Sequence, residues 1–302
     1  TQLASRREPS MRQVIRLNPT TGTHLFFEVI CTWAGDWLHE NLQKMASTVL
    51  LSATLKPWDW HGSELGLQKL DRLEQLSVPS SFPPENRCLL LHEGLSSRYR
   101  ERRESMGSLA QLVHNSFLAV GGNTAVFLPS FAYLRELRKA LPKRLPLLVH
   151  DGTMPPNLRS ALLKRLSTGG PYLLLTVMGG IFAEAVDFPG RMLESALVVG
   201  PGLPGVSHER ELAKAFYESR GEEGFHKAYR LPGLCRVLQA AGRVIRRPED
   251  RGSIVLIDDR FKSWENLSVI EESYEATPHI LQSNQEVVEA LRDFHGTPGA
   301  SE

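Results

Sequence analysis

The segment Gln239-Ala-Ala-Gly242-Arg243-Val-Ile-Arg246 carries one amide and two guanidinium groups at spacings of four and three residues. On a helix turning about 100° per residue, these three side chains share roughly a 60° arc. Val237, Leu238, Ala241, Val244 and Ile245 fill the other side and would seat the helix on a core. Two forked cations side by side suit a phosphate, because guanidinium binds its oxygens in pairs and keeps its charge. A solvated basic face on an amphipathic helix is the competing reading. Gly242 weighs toward the first, since a glycine inside a helix costs about 1 kcal/mol relative to alanine and close approach of a backbone or ligand would explain it.

Three further segments have chemical potential. Thr176-Val-Met-Gly179-Gly180-Ile-Phe-Ala-Glu184-Ala-Val-Asp187-Phe188 follows an apolar run directly. Paired glycines there would let the backbone approach a phosphate at a helix start, although a tight turn accounts for them equally well. Glu184 and Asp187 fall on one helical face, either as ligand contacts or as solvated acids. Leu50-Leu51-Ser52-Ala53-Thr54-Leu55 ends an apolar run in a hydroxyl-rich turn, which reads as a strand end or helix cap. Val126-Phe127-Leu128-Pro129-Ser130-Phe131 places a ring and a hydroxyl at a strand end, where they could meet a base and a backbone, or simply join the core.

Other chemistries lack their residues. The chain has no G-x-S-x-G elbow for a serine hydrolase, and no G-x-x-x-x-G-K-[ST] phosphate loop, so it lacks its own ATP cradle. His150-Asp151-Gly152 reads as a turn rather than an acid–base site. Cys31, Cys88 and Cys235 are far apart and form no C-x-x-C pair, so no disulfide framework or zinc site is expected and a reducing compartment fits best. Lys and Arg total 35 against 34 Asp and Glu, so any phosphate binding must be local. No apolar run approaches the roughly 18 residues of a membrane span, so no membrane partner is expected. The opening at Thr1, without Met, suggests a fragment.

The elements that must position these residues alternate. Strands are expected at Arg87–Leu91, Thr124–Leu128, Leu145–Val149, Tyr172–Val177, Ser195–Val199 and Ser253–Asp258. Helices are expected between them at about Ser97–Ala119, Phe131–Ala140, Pro156–Ser167, His208–Ser219 and Leu234–Arg246. Such alternation indicates an α/β fold with a parallel, doubly wound sheet, whose ligands lie beyond the strand C-termini. Upstream, Leu25–Thr32 and Thr48–Ser52 read as strands around an amphipathic stretch Ala34–Met45, a unit unable to bury both faces alone. Pro57, Pro79, Pro83 and Pro84 break the region between, which reads as a crossing segment. Ser283 and Glu286 form a capping box before a terminal helix.

In order along the chain, these four segments resemble motifs III to VI of the XPD/DinG-type superfamily-two DNA helicases, over roughly residues 25–262. Ser52-Ala53-Thr54-Leu55 resembles motif III, Val126–Phe131 motif IV, Gly179–Phe188 motif V, and Gln239–Arg246 with Asp250, Gly252 and Asp258-Asp259-Arg260-Phe261 motif VI. Ser81-Phe82, Arg100 to Arg103 and Gly202-Leu203-Pro204 echo the family more weakly. Ala185 departs from the pattern, which has glycine there.

The resemblance implies a RecA-like sheet of the P-loop NTPase type. Its domains would be residues 1–56 (remnant of a first motor domain), 57–86 (crossing segment), 87–262 (second motor domain) and 263–302 (extension with one helix). It implies ATP-dependent movement 5′ to 3′ on single-stranded DNA. ATP with Mg2+ would be held mainly by the missing first motor domain, which is also the implied protein partner. Arg246 would be the arginine finger, beside Arg243, with Gln239 near the attacking water. Gly179, Gly180, Glu184, Asp187 and Gly242 would border the nucleotide, and Ser130, Phe131 and Thr176 the single strand. Ser52 and Thr54 would couple nucleotide state to DNA grip. An iron–sulfur cluster could belong only to the missing region. The implied location is cytoplasmic, at the nucleoid in a bacterium. A non-catalytic nucleic-acid or protein-binding module of helicase descent is the rival.

Overall fold

A computed structural model describes residues 10–17, 25–52, 55–152, 154–168 and 170–296. In chain order the first elements are β1 (Met11–Leu17), β2 (Leu25–Cys31), α1 (Gly35–Leu42), α2 (Trp58–Glu64), β3 (Arg87–His92), α3 (Arg102–Val120), β4 (Thr124–Leu128) and α4 (Phe131–Ala140). There follow β5 (Leu147–Val149), α5 (Pro156–Ser167), β6 (Leu173–Val177), α6 (Ile181–Glu184), β7 (Ser195–Val199) and α7 (His208–Ser219). The last are α8 (Leu231–Ala241), β8 (Gly252–Ile257), α9 (Trp264–Tyr274), β9 (His279–Leu281) and α10 (Asn284–Gly296). The chain divides into two units, one of residues 1–78 with 204–232 and one of 79–203 with 233–302.

The larger unit, residues 79–203 with 233–302, is built on a seven-stranded sheet in the order β5-β6-β4-β7-β8-β3-β9, parallel throughout. Its central strands bury every residue, as strands covered by helices on both faces must. On one face Leu109, Leu112, Val113 and Phe117 of α3 join Tyr133, Leu134 and Leu137 of α4 and Val287, Val288 and Leu291 of α10 in a single apolar cluster over the strands. Ser130 caps α4, its hydroxyl accepting the Tyr133 N–H at 3.2 Å. Because all seven strands point one way, the loops after β3, β4, β6, β7 and β8 gather at one edge.

The smaller unit pairs β1 and β2 antiparallel, Met11 opposite Cys31. Trp33 stacks on Phe216 of α7 at 5.8 Å, and the Arg220 guanidinium lies 4.5 Å over the Trp33 ring. The Tyr217 hydroxyl donates to Glu64 Oε1 at 2.6 Å, and burial holds the Glu64 carboxyl above its ordinary range. A groove of about 470 Å³ runs past Trp60, Arg220, Glu222 and Lys227.

Three expectations are corrected here. The expected strand Thr48–Ser52 does not form: Val49 is 83% and Leu51 87% exposed, and a strand without a neighbour to pair with has no ladder to hold it. The second domain is not the continuous stretch 87–262, since residues 204–232, with α7, group with the N-terminal segment, and α2 makes part of the supposed crossing segment helical. The tail is not an extension with one helix, because it gives the larger unit an edge strand, β9, and two helices, α9 and α10.

Candidate functional site

α8 stops at Ala241. The Gly242 N–H makes the last full helical bond, to Leu238 O at 2.8 Å. Arg243 N and Val244 N reach only three residues back, to Ala240 O at 3.3 Å and Ala241 O at 3.4 Å, a tightened last turn. Gln239, Arg243 and Arg246 therefore do not share a helical face. Val244 and Ile245 continue the helical period of apolar residues, yet Val244 packs from a turn, its side chain against Gly252 at the start of β8. Gly242 is not inside a helix either, and a Cβ there would meet only Leu238 O at 3.1 Å and Gln239 O at 3.8 Å, so no foreign backbone requires it. The Asp250 carboxylate holds the following loop by accepting the N–H groups of Arg246 (2.8 Å) and Arg247 (2.9 Å). Asn86, just before β3, donates to Pro248 O at 2.9 Å. The loop carrying both arginines thus lies at the strand N-termini, not beyond the C-termini.

Arg243 is spent within its own unit. Its Nε, Nη1 and Nη2 donate to the carbonyls of Ala183 (2.8 Å), Val186 (2.9 Å) and Glu184 (2.8 Å). These carbonyls close the four-residue α6, whose last C=O groups have no partner along the helix. Burial lowers the Arg243 pKa and the neighbouring Arg246 lowers it further, against the pull of Asp187 and Glu184. Arg246 makes a looser contact: its Nε lies 3.2 Å from Asp187 Oδ1, with the side chains 33% and 72% exposed. A pair that open contributes about 0–1 kcal/mol, so another anion could displace the carboxylate. Gln239 is half-buried, and its side chain makes no hydrogen bond among the described residues.

At the other end of α6, Gly179 has φ +71°, a left-handed turn that other residues enter at a cost. Gly180 precedes α6 and turns its own N–H back to Val177 O at 3.3 Å. The geometry is that of a tight turn between strand and helix. Thr176 is fully buried and its hydroxyl sits 3.3 Å from His150 Nδ1, so it cannot meet a DNA strand; it lies inside β6, covered on both sides. Phe131 is half-buried, edge-on to His150 at 6.1 Å, and Ser130 beside it uses its hydroxyl as the α4 cap. In the smaller unit Ser52 is exposed, and Thr54 lies outside the described residues.

A family model described as Helicase C-terminal domain matches residues 113–275, more than half of the chain. The chain belongs to the helicase C-terminal domain family. It is 27% identical over 263 residues to a probable ATP-dependent helicase of Methanocaldococcus jannaschii, covering 80% of this chain and 38% of that one. It is 29% identical over 229 residues to the ATP-dependent DNA helicase YoaA of Escherichia coli, covering 72% and 34%. A solved apo XPD structure superposes with a TM-score of 0.66 at 18% identity, over 87% of this chain and 55% of that one. The sheet is accordingly the RecA-like fold of helicase C-terminal domains. The chain spans about a third of the length of the curated relatives it matches.

Among the described residues of this helicase C-terminal domain, the most heavily bonded carboxylate is one that the motif resemblance leaves without a role. Asp258, fully buried just after β8, accepts Ser97 N (2.9 Å) and Ser97 Oγ (2.6 Å) from the loop after β3, and Arg260 Nε (2.7 Å) and Nη2 (2.9 Å) from its own loop. Burial alone would raise its pKa, but the bonds and charge of Arg260 and the bonds from Ser97 outweigh it and keep the carboxyl below its usual range. Only the run Asp258-Asp259-Arg260 signals this hub in the sequence, because Ser97 is 161 residues away. Among the described residues no group of three or more His, Cys, Asp or Glu side chains could hold a metal ion.

Proposed function

We propose that this chain is the C-terminal motor domain of an ATP-dependent helicase moving 5′ to 3′ on single-stranded DNA. In that reading Arg246 serves as the arginine finger for an ATP bound by an N-terminal motor domain. The observation that carries it is the contrast between two neighbouring arginines. Arg243 joins the loop after β6 to the turn after α8 with three hydrogen bonds, while the guanidinium of Arg246, on the same turn, meets only the open Asp187 among the described residues. Arg243 is a positioning residue and does not itself reach phosphate. Closing two motor lobes on ATP would exchange Asp187 for a phosphoryl oxygen at Arg246, with Gln239 free to orient water. A cation placed where charge develops in phosphoryl transfer contributes on the order of a thousandfold or more to rate.

The described residues offer cations and an amide but no metal-ligand set, so in this reading Mg2+ would be held with ATP by the partner domain, and this chain alone would not hydrolyse ATP. Ser130 and Phe131 stand at the strand-end edge where a DNA strand would pass. Any iron–sulfur cluster would lie in the N-terminal domain, and a cytoplasmic setting at DNA follows from the same reading. One observation favours the rival, a binding module without motor activity: both arginines already have partners within the unit. Arg246→Ala in the full-length protein decides between them. We expect DNA-stimulated ATP turnover to fall about a thousandfold with single-strand binding kept; turnover at the wild-type rate refutes the finger.

A further inference from the structure

Tyr99 is 84% exposed, on the loop between β3 and α3. The loop around it is pinned. Ser97 is bound to Asp258 through N–H and hydroxyl, Arg98 Nη1 reaches both oxygens of Asp259 at 2.6 and 2.7 Å, and the Ser105 hydroxyl donates to Ser96 O at 2.9 Å. A single exposed ring is ordinary on a protein surface, and by itself would mean nothing.

Its neighbour is not ordinary. The Arg102 guanidinium lies 4.1 Å from the ring centre of the buried Tyr133 and 5.4 Å from that of Tyr99. It makes no hydrogen bond or ion pair among the described residues, and its Nε is buried without a partner. A buried donor left unmet costs about 1–3 kcal/mol, more when charged, so such a group points to a ligand that completes it. Arg100 and Arg103 flank it, both exposed, in a chain whose overall charge is only +1. Tyr133 stands on α4 two residues after Phe131, so this cluster adjoins the strand-end edge at which Ser130 and Phe131 stand.

We propose that Tyr99 and Arg102 form a grip for single-stranded nucleic acid, a base stacking on the open Tyr99 face and a backbone phosphate taken by Arg102. An open aromatic face needs a flat partner and an unmet guanidinium needs an anion. A nucleic-acid strand supplies both at adjacent positions, and it must be single because a duplex hides the faces of its bases. The proposal rests on the helicase reading and adds a contact outside the four segments that carry that reading.

The test is fluorescence anisotropy of the full-length protein with a labelled oligothymidylate, without nucleotide, over a series of salt concentrations. Tyr99→Ala and Tyr99→Leu should weaken binding about tenfold or more, and Tyr99→Phe should stay within about twofold, because stacking needs the ring and not merely apolar area. Arg102→Ala should flatten the salt dependence by about 0.7 in log–log slope, the share of one phosphate on a single strand. Arg102→Lys should keep that slope while binding more weakly. If the wild-type protein binds no oligothymidylate, the DNA reading itself fails. If it binds and Tyr99→Leu matches Tyr99→Phe, or the slope is untouched in Arg102→Ala, the grip is overturned and the helicase reading stands.

Discussion

Removing the Arg243 side chain should loosen the larger unit far more than an arginine reserved for phosphate would. Arg243→Ala deletes three charge-assisted hydrogen bonds to the carbonyls of Ala183, Glu184 and Val186. Bonds to a charged group contribute about 1.5–3 kcal/mol each, but the Glu184 bond is exposed and its carbonyl can turn to water, and three bonds to one side chain are not additive. We expect about 2–4 kcal/mol of destabilisation. For a body of roughly 150–250 residues each kcal/mol is about 2–4 °C in Tm, so the melting point should fall by roughly 5–15 °C. Arg243→Lys should recover little of this, since one ammonium cannot span three carbonyls. Differential scanning calorimetry gives the melting point, and amide exchange across residues 181–188 localises the loss. A melting point within about 1 °C of wild type, with unchanged exchange there, would refute the fastening role.

Other expectations concern the rest of the unit. Asp258→Asn leaves the Arg260 charge without its buried partner and should cost about 3–5 kcal/mol, read by urea unfolding; a smaller change than in an exposed control such as Glu184→Gln would count against the hub. His295, whose Nε2 sits 2.9 Å from the buried Ser253 hydroxyl, has its pKa depressed to about 4 by burial first and then by Arg251 and Arg191. The unfolded chain therefore takes up a proton near pH 6.5 that the folded one refuses. That contribution to stability is whole above about pH 6.5 and is lost as pH falls toward about 4. His295→Gln should flatten this slope in unfolding measured from about pH 4 to 7, and an unaltered slope would remove His295 as its source.

The helices at 131–140, 156–167 and 208–219 and the strands at 124–128 and 195–199 are legible residue for residue, the helices because each joins an unbroken period to a clear start such as Ser130, Pro156 or Ser207. The end of α8 is not. Val244 and Ile245 keep the helical period, yet the side chain of Val244 is wanted against Gly252, and periodicity does not tell an apolar residue on a helix from one on the turn beyond it. Thr176 misleads for a related reason: a hydroxyl within a fully covered strand reads as a polar strand end unless its neighbour across the sheet is known. The strand β9 is three residues long and too short for any pattern to announce. At the site, the order of the four segments is legible but the division of labour between Arg243 and Arg246 is not. It depends on carbonyls of a loop nearly sixty residues upstream, and backbone acceptors have no letter in a sequence.

The Asp258 hub constrains how this protein can change over generations. Gly200 sits at φ +80°, and a side chain there would collide with the Ser97 hydroxyl, which itself must donate to Asp258 while accepting from Arg260. Four positions at the ends of three neighbouring strands thus stand or fall together. A lineage that replaced one would be driven to replace the others, and across relatives positions 97, 200, 258 and 260 should be inherited as a block.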